Sequence, residues 1–134
     1  MIAYIIINNR TNRMAFQFHI DHDAGILELY YAGEIKLKER EQARSEFFSL
    51  CKQHQLTRGL VEMQDSDIYM TEDDVIKFTS SFKNMDLPVG YRMAGVIKHD
   101  DKADRLMELL LSLEGMDTRF FLNRGEALKW LKAC

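Results

Sequence analysis

His99 is followed directly by Asp100 and Asp101, and Asp65, Ser66 and Asp67 form a second run of groups able to do chemistry. Histidine titrates near neutrality and a carboxylate can orient it, so His99 with Asp65 or Asp100 is the pair from which acid–base catalysis would be built. Aspartate oxygens suit Mg²⁺ or Ca²⁺ and an imidazole suits transition metals, so the same groups could hold a divalent cation. The spacing selects neither chemistry. Plain structure produces the same pattern when Asp100 or Asp101 caps a helix and Asp65 and Asp67 make a solvated turn. No catalytic residue, metal ligand or cofactor is assigned on this basis. His19 and His22 stand three apart on a predicted strand and so face opposite sides, which argues against a shared metal.

Other reaction classes lose their usual signatures. The chain carries no glycine-rich phosphate loop and no Gly-x-Ser-x-Gly nucleophile elbow. Its 134 residues, 46% hydrophobic and 29% charged, suffice for one core without disulfide or metal staples, so one domain is expected. Lys and Arg total 18 against 21 Asp and Glu, and this net charge of −3 supplies no basic surface for nucleic acid. Cys51 and Cys134 lie far apart, without zinc or dithiol spacing, which fits a reducing compartment. Cys51 reads as a small apolar residue on a helix and Cys134 as an exposed terminal thiol. The apolar run Ile2 to Ile7 follows no basic residue and is too short for a signal-peptide core or a membrane span, so a cytoplasmic location is expected.

The elements that must position these groups follow from periodicity. Residues 1–13 read as an N-terminal extension, apolar and then polar from Asn8 to Arg13, either an extra edge strand or an upstream read-through. From residue 14 to 134 the punctuation is regular. Phe16, Phe18 and Ile20 alternate with polar residues, His22 to Gly25 turn, and Ile26 to Ala32 return, making a β-hairpin. A helix is predicted from Leu37 to His54, with Ala43, Phe47, Leu50 and Cys51 on its apolar face. Strands at Gly59–Met63, Arg92–Ile97 and Thr118–Leu122 then alternate with helices capped at Thr71, at Asp100 or Asp101, and at Asn123. The first of these helices is expected to turn Val75, Ile76, Thr79 and Phe82 inward, and the second Ala103, Leu106, Met107, Leu110 and Leu113. This order implies a single α/β domain with a mixed, mostly parallel sheet opened by the hairpin.

Ligands of such sheets sit outside the carboxyl ends of the strands, which selects Asp65, Ser66, Asp67, Ile68 and Tyr69, then His99, Asp100 and Asp101, then Asn123 and Arg124. Apolar residues crowd nearby loops. Ile68, Tyr69 and Met70, with Met85, Leu87, Val89, Tyr91 and Met93 around the lone Pro88, could line an apolar pocket, form a self-association patch, or simply fill the core.

The leading hairpin, the helix after its second strand, and the closing run Arg119 to Leu131 resemble the anti-sigma-factor antagonist (STAS) superfamily. The SpoIIAA-like branch, related to the CRAL-TRIO lipid-binding domains, is the nearest match, since its members often end in an "EALxWL" helix like Glu126 to Leu131 here. The resemblance covers Met14 to Cys134. It implies a bacterial regulatory domain whose acceptor hydroxyl, in an Asp-Ser-Ser/Thr-Gly sequence at a helix start, is phosphorylated by a partner kinase. This chain departs from that pattern, because its helix start reads Thr71-Glu72-Asp73-Asp74, and Asp65-Ser66 falls several residues early. Ser66 and Thr71 are the candidate phosphoacceptors, with plain helix capping the alternative for Thr71.

The expected function is a noncatalytic regulatory or binding module of the STAS/SpoIIAA-like type. Its binding residues would be Asp65, Ser66, Asp67, Tyr69, Thr71, His99 and Asp100, and its ligand a protein partner or a small apolar molecule. The alternative is a small metal-dependent or acid–base enzyme using His99 with Asp65 or Asp100. A third reading is a structural homodimer that buries the Tyr69 and Met70 region, or the N-terminal strand, against a second copy.

Overall fold

The computed structural model describes residues 2–5, 16–85 and 89–133. Strands β2 (Phe16–Asp21) and β3 (Ile26–Tyr31) form the expected antiparallel hairpin, with Phe16, Phe18 and Ile20 buried on alternate positions. Gly25 adopts φ 68° in the turn, a conformation that glycine reaches without a Cβ clash. At the edge, β1 (Ile2–Ile5) pairs antiparallel with β2. Met1, the polar stretch read as a connector, Leu87, Pro88 and Cys134 lie outside the described residues.

Short β4 (Gly33–Ile35) leads into helix α1 (Leu37–His54), with the predicted bounds. Strand β5 (Arg58–Glu62), short β6 (Ser66–Ile68) and helix α2 (Glu72–Ser80) follow, α2 continuing into a 3₁₀ turn at Ser81–Asn84. Strand β7 (Arg92–Val96), helix α3 (Lys102–Leu113), strand β8 (Asp117–Phe121) and helix α4 (Arg124–Lys132) complete the chain. Asp101 caps α3 by accepting from the Asp104 N–H at 2.9 Å, and Asn123 caps α4 by accepting from the Glu126 N–H at 3.0 Å.

The main sheet runs β1-β2-β3-β5-β7-β8, antiparallel among its first three strands and parallel from β3 onward. Side-chain alternation along β5 and β7 sorts its two faces. Val61, Met63 and Ile97 join the larger core under α1, α2 and α3, whereas Leu60, Ala94 and Val96 join a smaller one beneath Ala127 and Leu131 of α4. Glycines occur where rings press closest. A Cβ at Gly59 would stand 2.4 Å from Phe47 Cζ, and one at Gly95 2.6 Å from Phe120 Cδ1.

Two inward assignments are corrected. Val75, Phe78 and Thr79 form the buried face of α2, which turns Ile76 away and leaves it 50% exposed. On α3 the buried line is Met107 and Leu111, with Ala103, Leu106 and Leu110 along its margin, so Leu113 in the last turn is 73% exposed.

The sequence reading also passed over a second, two-stranded sheet. There β4 pairs in parallel with β6, and the Gly33 N–H donates to the Asp65 carbonyl at 3.1 Å. This pairing fixes the Ser66–Ile68 segment beyond the carboxyl end of β5.

Candidate functional site

Outside the carboxyl ends of β5 and β7 lies a cleft of about 310 Å³. One wall is the segment from Ser66 to Met70, held by the small sheet; the other is Ile97, Lys98 and His99 leaving β7, continued by Ala103 and Asp104 in the first turn of α3. Its inner lining includes Arg40 of α1, Met63, Val75 of α2 and Met107 of α3.

Arg40 is the unusual member. It is only 6% exposed, yet among the described residues no carboxylate lies within ion-pair distance of it. Its Nη1 donates to Met70 Sδ at 2.8 Å, and its Nη2 to Met107 Sδ at 3.4 Å and Met63 Sδ at 3.6 Å. The guanidinium also stands 5.0 Å from the centre of the Phe78 ring. Thioethers are weak acceptors, so these contacts replace only part of the lost hydration, and burial pulls the Arg40 pKa below its ordinary value. Burial likewise pushes the neighbouring Tyr31 hydroxyl up to about 12, against the opposing pull of Arg40.

Across the cleft, burial pushes the Asp104 carboxyl up to about 7, with repulsion from Asp101 and a hydrogen bond to it acting in the same direction. Arg40 and Arg105 pull the other way. At the mouth, Lys98 Nζ pairs with Asp67 Oδ1 at 3.0 Å.

No family model matches this chain, and no curated protein matches it. Solved structures do. An uncharacterized protein of the DUF3478 family from Shewanella loihica PV-4, described as having a SpoIIAA-like fold, superposes with a TM-score of 0.54 at 17% identity, covering 87% of this chain and 92% of that one. An anti-sigma factor antagonist from Mycobacterium paratuberculosis superposes with a TM-score of 0.54 at 13% identity, covering 95% and 100%. This chain has a SpoIIAA-like fold. At such identities the likeness is one of fold, and it agrees with the α/β architecture expected from the sequence.

Within this SpoIIAA-like fold the rim residues read from the sequence separate into distinct settings. Ser66, Asp67, Tyr69 and His99 line the cleft, and so does Asp101. Tyr69 stands at its lip, 90% exposed. Ser66 is 3% exposed and its hydroxyl donates to the Met63 carbonyl at 2.7 Å, closing the turn between β5 and β6. Thr71 caps α2 in a reciprocal box: its Oγ1 accepts from the Asp74 N–H at 3.1 Å, and its own N–H donates to Asp74 Oδ2 at 3.1 Å.

Asp65 and Asp100 face other partners. The Tyr30 hydroxyl donates to Asp65, and Asp100 accepts from Arg105 Nε at 2.6 Å. Among the described residues, no hydrogen bond or ion pair joins His99 to Asp65 or Asp100. Nor, among those residues, do three His, Cys, Asp or Glu side chains gather as a metal site. Arg124 turns away to Glu28, its Nη2 reaching Oε2 at 2.9 Å.

Of the apolar loop residues, Ile68, Tyr69 and Met70 line the cleft, Tyr91 is buried in the core, and Val89 is exposed. Arg40, Asp104 and Met107 were missed as site residues. The signal for Arg40 was present: it precedes Ala43 by three and Phe47 by seven, which places a cation on the apolar stripe of α1.

Proposed function

We propose that the chain is a noncatalytic regulatory module that takes a protein partner or a small apolar ligand at the cleft beyond β5 and β7. The observation that carries this reading is the cleft itself. It lies where parallel sheets of this kind bind their ligands, and its walls combine apolar side chains with Asp67, Tyr69 and His99. The likeness to an anti-sigma factor antagonist, a protein that acts on other proteins, supports a regulatory role. An acid–base enzyme draws no comparable support, because His99 is hydrogen-bonded to neither proposed carboxylate partner. The free, buried thiol of Cys51 suits a reducing, cytoplasmic setting. No helix among the described residues is long and apolar enough to cross a membrane.

Backbone-amide NMR of the chain against a fragment library tests the reading. Shifts are expected to cluster at Ser66–Met70 and Ile97–His99, and to vanish when Ala103→Trp fills the cleft. Shifts clustering on α4, or surviving Ala103→Trp, would refute it.

A further inference from the structure

We infer that the cleft selects a small carboxylic acid on an apolar body, with the ligand's carboxylate taken by the guanidinium of Arg40. The inference rests on the proposed use of this cleft for binding and adds the class of ligand.

It starts from a charge inventory of the lining. Lys98 is matched by Asp67 at 3.0 Å, and the Asp101 carboxylate is occupied by the N-terminus of α3, accepting the Asp104 N–H at 2.9 Å. Asp104 is held toward its neutral form by burial. Arg40 remains, nine-tenths buried, with thioether sulfurs, an aromatic face, the Tyr31 hydroxyl and the largely neutral Asp104 carboxyl as its neighbours.

A buried guanidinium normally has a carboxylate, because an unpaired charge loses its hydration without an equal replacement. Here no carboxylate of the described residues stands at ion-pair distance, and the cleft gives a carboxylate from outside the chain access to that place. A ligand carboxylate would displace weak sulfur acceptors with charge-assisted hydrogen bonds, the stronger class. A protonated Asp104 carries no charge to repel that anion.

The remainder of the lining sets the body of the ligand. Ile68, Met70, Val75, Ile97, Ala103 and Met107 offer an apolar wall, and methionines adapt to irregular hydrocarbon shapes. The cleft volume of about 310 Å³ lies at the lower end of small-molecule sites.

The test compares sodium octanoate with 1-octanol and inorganic phosphate by amide NMR titration of the native chain, and then of Arg40→Met. Methionine conserves much of the buried volume, and replacing a buried charge by an apolar side chain is often neutral for stability or favourable. Octanoate is expected to shift Ser66–Met70 and Ile97–His99 saturably. Octanol should bind at least about ten-fold more weakly, phosphate should leave those amides in place, and Arg40→Met should weaken octanoate about ten-fold or more.

Equal binding of octanol and octanoate at the cleft would overturn the carboxylate assignment while leaving the cleft as the binding site. Phosphate binding as tightly as octanoate would overturn it too, since the apolar body would then contribute nothing. If no probe moves the cleft amides, this inference fails, and the fragment screen above decides separately whether the cleft binds at all. Should Arg40→Met fail to fold, the octanoate–octanol contrast in the native chain still decides.

Discussion

Replacing Asp104 with asparagine removes the one carboxyl in the cleft that burial holds near neutrality. Burial pushes this carboxyl up to about 7 from an ordinary 3.8. At about 1.36 kcal/mol per unit the ceiling is about 4 kcal/mol. Partial solvent access screens that penalty, and the first turn of α3 favours a negative charge, so about 1–2 kcal/mol is expected. The sign follows from linkage. The folded chain holds this proton more tightly than the unfolded chain does, so native stability falls as pH rises from about 4 to about 7, and the penalty persists in full above that. Asp104→Asn should therefore be the more stable protein by about 1–2 kcal/mol at pH 8, and its advantage should fade toward pH 4. Urea unfolding followed by circular dichroism across this range measures the difference directly. A gap that stays constant with pH, or that grows as pH falls, would refute the assignment of a buried, proton-holding carboxyl.

Four further outcomes are expected. Gly59→Ala places a Cβ 2.2 Å from Tyr91 Oη and 2.4 Å from Phe47 Cζ, atoms locked in a packed aromatic cluster, so thermal melts should show a loss of about 1–3 kcal/mol. Thr71→Ala removes the side-chain cap of α2 and should cost about 1 kcal/mol by urea titration, with the sheet signal unchanged. Ser66→Ala removes a buried hydroxyl whose acceptor, the Met63 carbonyl, keeps the Ser66 N–H at 3.2 Å; a loss of about 1 kcal/mol in the same assay is expected. Tyr69→Ala should leave stability within about 0.5 kcal/mol, because the ring is 90% exposed, while weakening any ligand found at the cleft by NMR titration.

The fold was readable because its long elements carry strong periods. The Phe16, Phe18 and Ile20 alternation marks β2, and the apolar stripe of α1 gives the bounds Leu37–His54. The pairing of β4 with β6 escaped notice because three residues hold too little of a period-two pattern to register, and because its hydrogen bonds join segments far apart in the chain. Ile76 and Leu113 were placed inward because composition marks a helix as apolar more clearly than it fixes which flank meets the sheet. A topological rule that needs only strand order picks out the rim, and of its residues Ser66, Asp67, Tyr69 and His99 line one cleft. Arg40 was not picked out, since an arginine on a charged helix looks solvated until the helices packed over it are known. Asp65 and Asp100 show the converse: their partners Tyr30 and Arg105 can be read only from three-dimensional placement.

The sulfur contacts of Arg40 also bear on how the molecule assembles. Met63 and Met70 come from the segment around β6, and Met107 from α3, much later in the chain. Without α3 the guanidinium would lose its Met107 contact and one side of its cover. The finished enclosure of this one cation therefore draws on three separate stretches of the chain, and α3 supplies the last of them.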